Sequence, residues 1–290
     1  MSSNEKEQKI QEIISSKSDE AEQIDAIAAI RGWFRPKDDS VFYPHVRAYM
    51  DGTADLTKAM EQITKPIDEG YNTEGDIDFP DLSYSILHAA KRTPYSDVEA
   101  QAKLVKLLYT VRNHAREIED YFMGAAREVM NDVPGVGAGY TVPEAHAHAN
   151  LNYFFASVTK EDVFELELYC IWEMRAALEN KLTDDGQYDA HIPGTATEKY
   201  NTRVPAAAVW VQVLGKKLYE KEEDLKPKGA GQGNPAKGGE LWKGVAGFDK
   251  GRWALWKKRF GEISELEDIS GETKKTAKEA VKVMEESEGS

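Results

Sequence analysis

Apolar residues along this chain recur at three- and four-residue spacing, while runs of strictly alternating apolar and polar positions are scarce. The first period belongs to a helix with one buried face and the second to a half-buried strand, so helices are expected to carry the fold. A short first helix is expected through Ile10, Ile13 and Ile14. A clearer second one carries Ile24, Ile27, Ala28 and Arg31 before Gly32 and Pro36 end it. Tyr43 to Met50 and Leu56 to Ile67 follow, joined by the turn pair Asp51-Gly52, and the acidic stretch Asp68 to Pro80 reads as a loop. Asp81 to Lys91 is helical by pattern, and Thr93-Pro94 breaks it. Ser96-Asp97-Val98-Glu99 has the form of a capping box, in which hydroxyl and carboxylate satisfy backbone donors at a helix start. The helix it opens shows Leu104, Leu107, Leu108 and Val111 on one face and Gln101, Lys103 and Lys106 on the other.

Thr141-Val142-Pro143-Glu144 forms a second such box after a glycine-rich loop, and Thr159 is expected to cap the next helix. Between Asp162 and Leu178 apolar side chains wrap nearly around that helix, and the same holds from Val204 to Leu218. Helices apolar on most sides belong at the centre of a bundle, so these two are expected to form the core. Lys226 to Gly239 holds five glycines and two prolines with almost nothing to bury, the composition of a linker or long surface loop. A Trp-rich helix from Asp249 to Phe260 and a last one from Glu272 to Glu286, striped by Ala277, Ala280, Val281 and Met284, complete the chain. The expected fold is therefore all-α: an irregular multi-helix bundle over residues 19–225 and a C-terminal helical hairpin, 241–290, packed back onto it. A disordered N-terminal tail, 1–18, and a Gly/Pro linker or loop, 226–240, flank the bundle in this reading.

With 290 residues, 41% of them hydrophobic, the chain can bury roughly three quarters of the surface its unfolded form exposes. Its net charge of −14 repels phosphate backbones, which argues against general nucleic-acid binding. Cys170 is the only cysteine, so no intramolecular disulfide can form, and no Asn-x-Ser/Thr site occurs. The first residues are polar and of mixed charge, unlike a secretion signal, and no segment approaches the roughly 20 apolar residues that span a bilayer. A cytoplasmic location is expected, with the nucleus kept open.

The segment Leu241-Trp-Lys-Gly-Val-Ala-Gly-Phe-Asp-Lys-Gly-Arg-Trp-Ala-Leu-Trp-Lys-Lys-Arg-Phe260, followed by a helix ending near Met284, resembles the C-terminal signature of a family of fungal proteins known only as a domain of unknown function. Arg203-Val-Pro-Ala-Ala-Ala-Val-Trp210 is similar to a second motif of that family. The resemblance implies a fungal origin, an all-helical fold from about Ile24 onward and an uncharacterised role. It supplies no site residues.

The chemistry-bearing motifs are few. Glu144, His146 and His148 are the densest set of potential metal ligands, but on a helix only Glu144 and His148 share a face, and two ligands do not make a zinc site. Gly135 to Gly139 and Gly229 to Gly233 lack both the dinucleotide spacing and a Gly-Lys-Ser/Thr ending. The acidic run Asp68 to Asp81 lacks the calcium-loop spacing. No nucleophile elbow and no His-Glu-x-x-His helix occurs, and Cys170, inside an apolar run, is expected to be inert. No catalytic residue, cofactor or metal is assigned. Leu241 to Phe260 carries six basic residues against one acidic, and the stretch after it nine acidic against four basic, so the hairpin can offset its own charge.

The sequence supports three functional readings, in this order. The first is a non-catalytic protein-interaction or scaffolding role with an unknown protein partner. The second is a small-molecule binder or enzyme using a pocket between helices, lined by Tyr169, Trp172 and Trp210. The third is binding to anionic lipid or nucleic acid through Arg252, Lys257, Lys258 and Arg259.

Overall fold

A computed structural model of the chain describes residues 2–184, 194–229, 231 and 233–289. Sixty-eight per cent of it is helical, so the all-α expectation holds. The helices are α1 (Ser3–Ile14), α2 (Glu20–Arg31), α3 (Tyr43–Met50), α4 (Leu56–Thr73), α5 (Phe79–Arg92), α6 (Val98–His114), α7 (Ile118–Val129), α8 (Val142–Lys160), α9 (Glu167–Met174), α10 (Ala196–Glu220), α11 (Lys250–Ser264) and α12 (Gly271–Gly289). Two two-residue strands, β1 (Glu223–Asp224) and β2 (Gly247–Phe248), pair antiparallel with Glu223 opposite Phe248. Contacts cluster into two compact units, Met1–Phe154 and Phe155–Ser290, with the boundary inside α8, rather than into one bundle with an appended hairpin.

In the first unit α5 is the central element. Nearly all of its side chains are buried, and α2, α3, α6 and α7 pack against it. The stretch expected to be an N-terminal tail is helical: Ser2 and Glu5 form a capping box, and Ile10 is buried with Ile24, Ile27, Ala28 and Trp33. Arg31 on α2 fixes this arrangement, since its guanidinium bridges Glu7 of α1 and the buried Glu144 at the start of α8.

Several expected boundaries shift for identifiable reasons. Helix α4 runs on to Thr73, past the expected loop start at Asp68, and its added turns pair Asp68 with His114 and Tyr71 with Glu117. The cap of α6 is Asp97, not Ser96, its carboxylate accepting from Ala100 N at 3.0 Å. Helix α7 has no counterpart among the expected elements. Thr159 does not cap the next helix; it lies near the end of α8, and its hydroxyl accepts from Leu166 N at 3.2 Å.

In the second unit α10 packs along α12, α11 lies against α12, and α9 packs on α10. The contact of α10 with α12 is close at Gly215, where a Cβ would meet Ser287 Oγ at 2.8 Å and Val283 Cγ1 at 2.9 Å. After α9 the backbone continues as one π-helical segment, Arg175–Glu179, which ends on a fully buried glutamate.

Candidate functional site

The most polar part of the first unit's interior is one side of α5, where Asp81, Ser85, His88 and Lys91 are all buried. Asp81 ties the chain before α3 to this helix. Its carboxylate accepts from Lys37 N at 2.8 Å and from the Ser40 hydroxyl, and Ser40 Oγ in turn accepts from Phe42 N and Tyr43 N at 3.2 and 3.0 Å. Those bonds anchor the start of α3 and hold Tyr43 over α5. The Tyr43 ring meets the His88 ring edge-on, centroids 5.6 Å apart.

His88 is 4% exposed, and its Nε2 lies 2.8 Å from Asp25 Oδ1 on α2. An ionised carboxylate only accepts, so Nε2 carries the proton and Nδ1 holds a lone pair. Arg92 Nε reaches the same Asp25 oxygen at 2.8 Å. Among the described residues His88 Nδ1 is buried without a hydrogen-bond partner, and the Tyr43 hydroxyl oxygen is buried with only the Arg92 guanidinium beside it. Burial pushes the His88 pKa down, outweighing the attraction of Asp25, and the nearby Lys91 and Arg92 charges push the same way. Burial raises the Tyr43 phenol in spite of Arg92 and Arg47. The outcome is a neutral imidazole, oriented by a carboxylate, that offers an unpaired acceptor beside a phenol.

One turn further along α5, the Lys91 ammonium bonds Asp132 and sits 4.7 Å above the centre of the Trp33 ring. Burial lowers the Lys91 pKa and raises that of Asp132, against their mutual attraction. Trp33 Nε1 donates to Gly137 O at 3.1 Å, and Asn150 Nδ2 to Lys91 O at 2.9 Å.

A family model described as "Protein of unknown function (DUF3632)" matches residues 84–260. The chain belongs to this family. No curated protein and no solved structure matches it. The DUF3632 match takes in His88, Lys91 and Arg92 of the first unit, while Asp25 and Tyr43 precede it.

Within the DUF3632 stretch the residues expected to matter are placed differently from the expectation. Trp210 is fully buried, Tyr169 packs between Phe155 and Trp172 with centroids 5.2 and 4.9 Å away, and Trp172 Nε1 donates to Pro235 O at 3.0 Å. Arg252, expected on a basic surface, is wholly buried with Glu179. Its Nε and Nη2 donate to the two Glu179 oxygens at 2.6 and 3.1 Å, and its Nη1 to Ala236 O and Gly247 O at 3.0 and 2.8 Å. Trp256 Nε1 and Gly239 N fill the remaining positions on Glu179 at 2.7 and 2.8 Å. A guanidinium with this many fixed acceptors can leave water, which explains the correction. Lys257 pairs with Glu288 at 2.5 Å, and Arg259 donates to Leu178 O at 3.1 Å, so of the four only Lys258 projects well into solvent.

Of the supposed metal ligands, Glu144 is taken by Arg31 and by Gly139 N at 2.8 Å, and His146 Nδ1 by Glu20 at 2.8 Å. Burial drives the Cys170 thiol well up. In the second glycine run, Ala230 and Gln232 lie outside the described residues. None of Asp25, Tyr43, His88 and Arg92 stood out in the sequence. The only signal was a helix whose polar positions follow one another at three and four residues, Asp81, Ser85, His88 and Arg92, and water-facing helices show the same spacing.

Proposed function

We propose that this protein binds a small polar molecule in its first unit, with His88 as the recognising group and Asp25, Tyr43 and Arg92 around it. The observation that carries this reading is the buried His88 Nδ1, an acceptor held in place by Asp25 and lacking a protein donor. A buried acceptor without a partner costs about 1–3 kcal/mol, and a ligand donor recovers that cost. The reading moves the second of the three sequence-based functions ahead of the first and shifts it from the aromatic residues of the second unit to α5. Native mass spectrometry of the full-length protein purified gently from its source tests it. A small mass released on denaturation and missing from His88→Gln supports the reading, and identical spectra for the two proteins overturn it.

A protein-interaction role keeps one specific observation in its favour. Phe34 and Tyr121 are exposed, yet each stacks on a ring of α5: Phe34 on Tyr84 at 5.9 Å and Tyr121 on Phe79 at 5.3 Å. Aromatic rings held at a surface are enriched in interfaces. The double substitution Phe34→Ser and Tyr121→Ser would then abolish any partner captured by the wild type. A fungal source agrees with the Leu241 to Phe260 signature, and a cytoplasmic setting with a single buried cysteine.

A further inference from the structure

We propose that the group recognised at His88 is a carboxylate, and that it enters together with one proton, which settles on His88 Nδ1. This inference rests on the small-molecule reading above and adds the ligand class. It follows from counting donors and charges around Asp25. Arg92 directs its Nε at Asp25, with a weaker approach to Ala21 O at 3.5 Å, and its guanidinium also lies against the Tyr43 hydroxyl. The Tyr43 hydroxyl is buried beside that guanidinium and interacts with it, though no well-aligned hydrogen bond forms among the described residues. Arg92 shares Asp25 with His88 and Tyr43 packs on the His88 ring, so donors of two side chains lie close to one unpaired acceptor, His88 Nδ1. A guanidinium fork matches a carboxylate better than any neutral group of similar size.

Charge supplies the second half. Asp25 and Arg92 balance each other beside a neutral imidazole, so an entering monoanion alone would leave one uncompensated negative charge and would face a lone pair. One proton on Nδ1 removes both objections: the site then holds Arg92 and imidazolium against Asp25 and the ligand, and Nδ1 donates. The proton comes from solvent or from the acid form of the ligand, and no bond other than N–H forms. Access lies on the Asp25 side, where the carboxylate side chain is 30% exposed and the Arg92 side chain 11%. The charged and titratable groups acting on His88 are Asp25 from α2, Tyr43 from α3, and Lys91 and Arg92 from α5 itself. The buried side chains of α6 and α7 are apolar apart from Gln101.

Acetate and acetamide, which share a shape and differ in charge, distinguish the cases in the full-length protein. Long-range proton–nitrogen correlation spectra, with His88 assigned by its loss in His88→Gln, report which ring nitrogens are protonated. Acetate should convert His88 from a neutral ring protonated at Nε2 to imidazolium, and its affinity should fall about tenfold per pH unit as the pH rises from the His88 pKa of the free protein to the higher one of the complex. Acetamide should do neither. Tyr43→Phe keeps the ring against His88 and removes only the hydroxyl, and it should weaken acetate about fivefold. Equal binding of acetate and acetamide without protonation would overturn the carboxylate inference and leave the small-molecule reading standing. Acetate binding that leaves the His88 signals unmoved would also overturn it, and a released mass that depends on His88 would still support the broader reading.

Discussion

Arg252 and Glu179 are the residues whose removal should be felt most. Neither side chain is exposed, and each has its hydrogen-bonding positions occupied by the other, by neighbouring backbone or, for Glu179, by Trp256 Nε1. Glu179→Ala would strand a buried guanidinium, and chemical denaturation should show a loss of about 3–5 kcal/mol. Replacing both, Glu179→Leu with Arg252→Met, should lie closer to wild type than either single change, because no buried charge is then left alone. His88 makes a different demand. Its pKa is lowered on folding, so the unfolded chain binds more protons between the folded value and the ordinary 6.5. The stability that neutral His88 supplies is therefore complete above 6.5 and is lost as the pH falls from there through the folded value. Urea unfolding at about pH 7.5 and about pH 5.5 should show a smaller drop for His88→Gln, whose amide can still donate to Asp25. Both clusters were beyond sequence reasoning for the same reason. Asp25 lies 63 residues from His88 and Glu179 lies 73 from Arg252, so the partner that decides whether a charge is buried is invisible at the position itself.

At the level of elements, single aspartates and glycines mark helix ends better than the capping-box pattern, which put the α6 cap at Ser96 instead of Asp97. Helix α2 begins at Asp19 with its side chain accepting from Glu22 N and ends at Gly32 in the left-handed conformation, as cap chemistry requires. Helix α11 starts on Asp249, which accepts from Gly251 N and Arg252 N, so Asp249→Ala should lower thermal stability by about 1 kcal/mol. Acidic composition misled at the end of α4, since Asp68 to Thr73 reads as loop yet continues the helix that passes through Pro66 with Ile63 and Ile67 buried. Proline also sits inside α10, at Pro205, among buried residues. Packing distance is another property that local signals omit. Nothing about Gly215 in the sequence announces that α12 passes against its Cα. Gly215→Val should push Ser287 and Val283 aside at a cost of about 1–3 kcal/mol, measurable in thermal unfolding.

For the whole molecule, composition gave the class and misjudged the surface. The apolar periodicity established an all-helical chain, and the most continuously apolar segments do become buried helices, though of the second unit alone. The centre of the first unit, α5, is far more mixed, because burial there is achieved with satisfied polar groups as well as apolar ones. The net charge of −14, with Arg252 withdrawn and Lys257 paired, predicts that the protein passes through immobilised heparin unretained even at low salt. The glycine- and proline-rich tract is where composition and structure part furthest. Pro235 O receives Trp172 and Arg175, Ala236 O and Gly247 O receive Arg252, and a Cβ at Gly239 would lie 2.4 Å from Asn180 Oδ1. Loss of any residue from Asn234 to Gly239 should therefore leave a chain that is degraded rather than accumulated in cells.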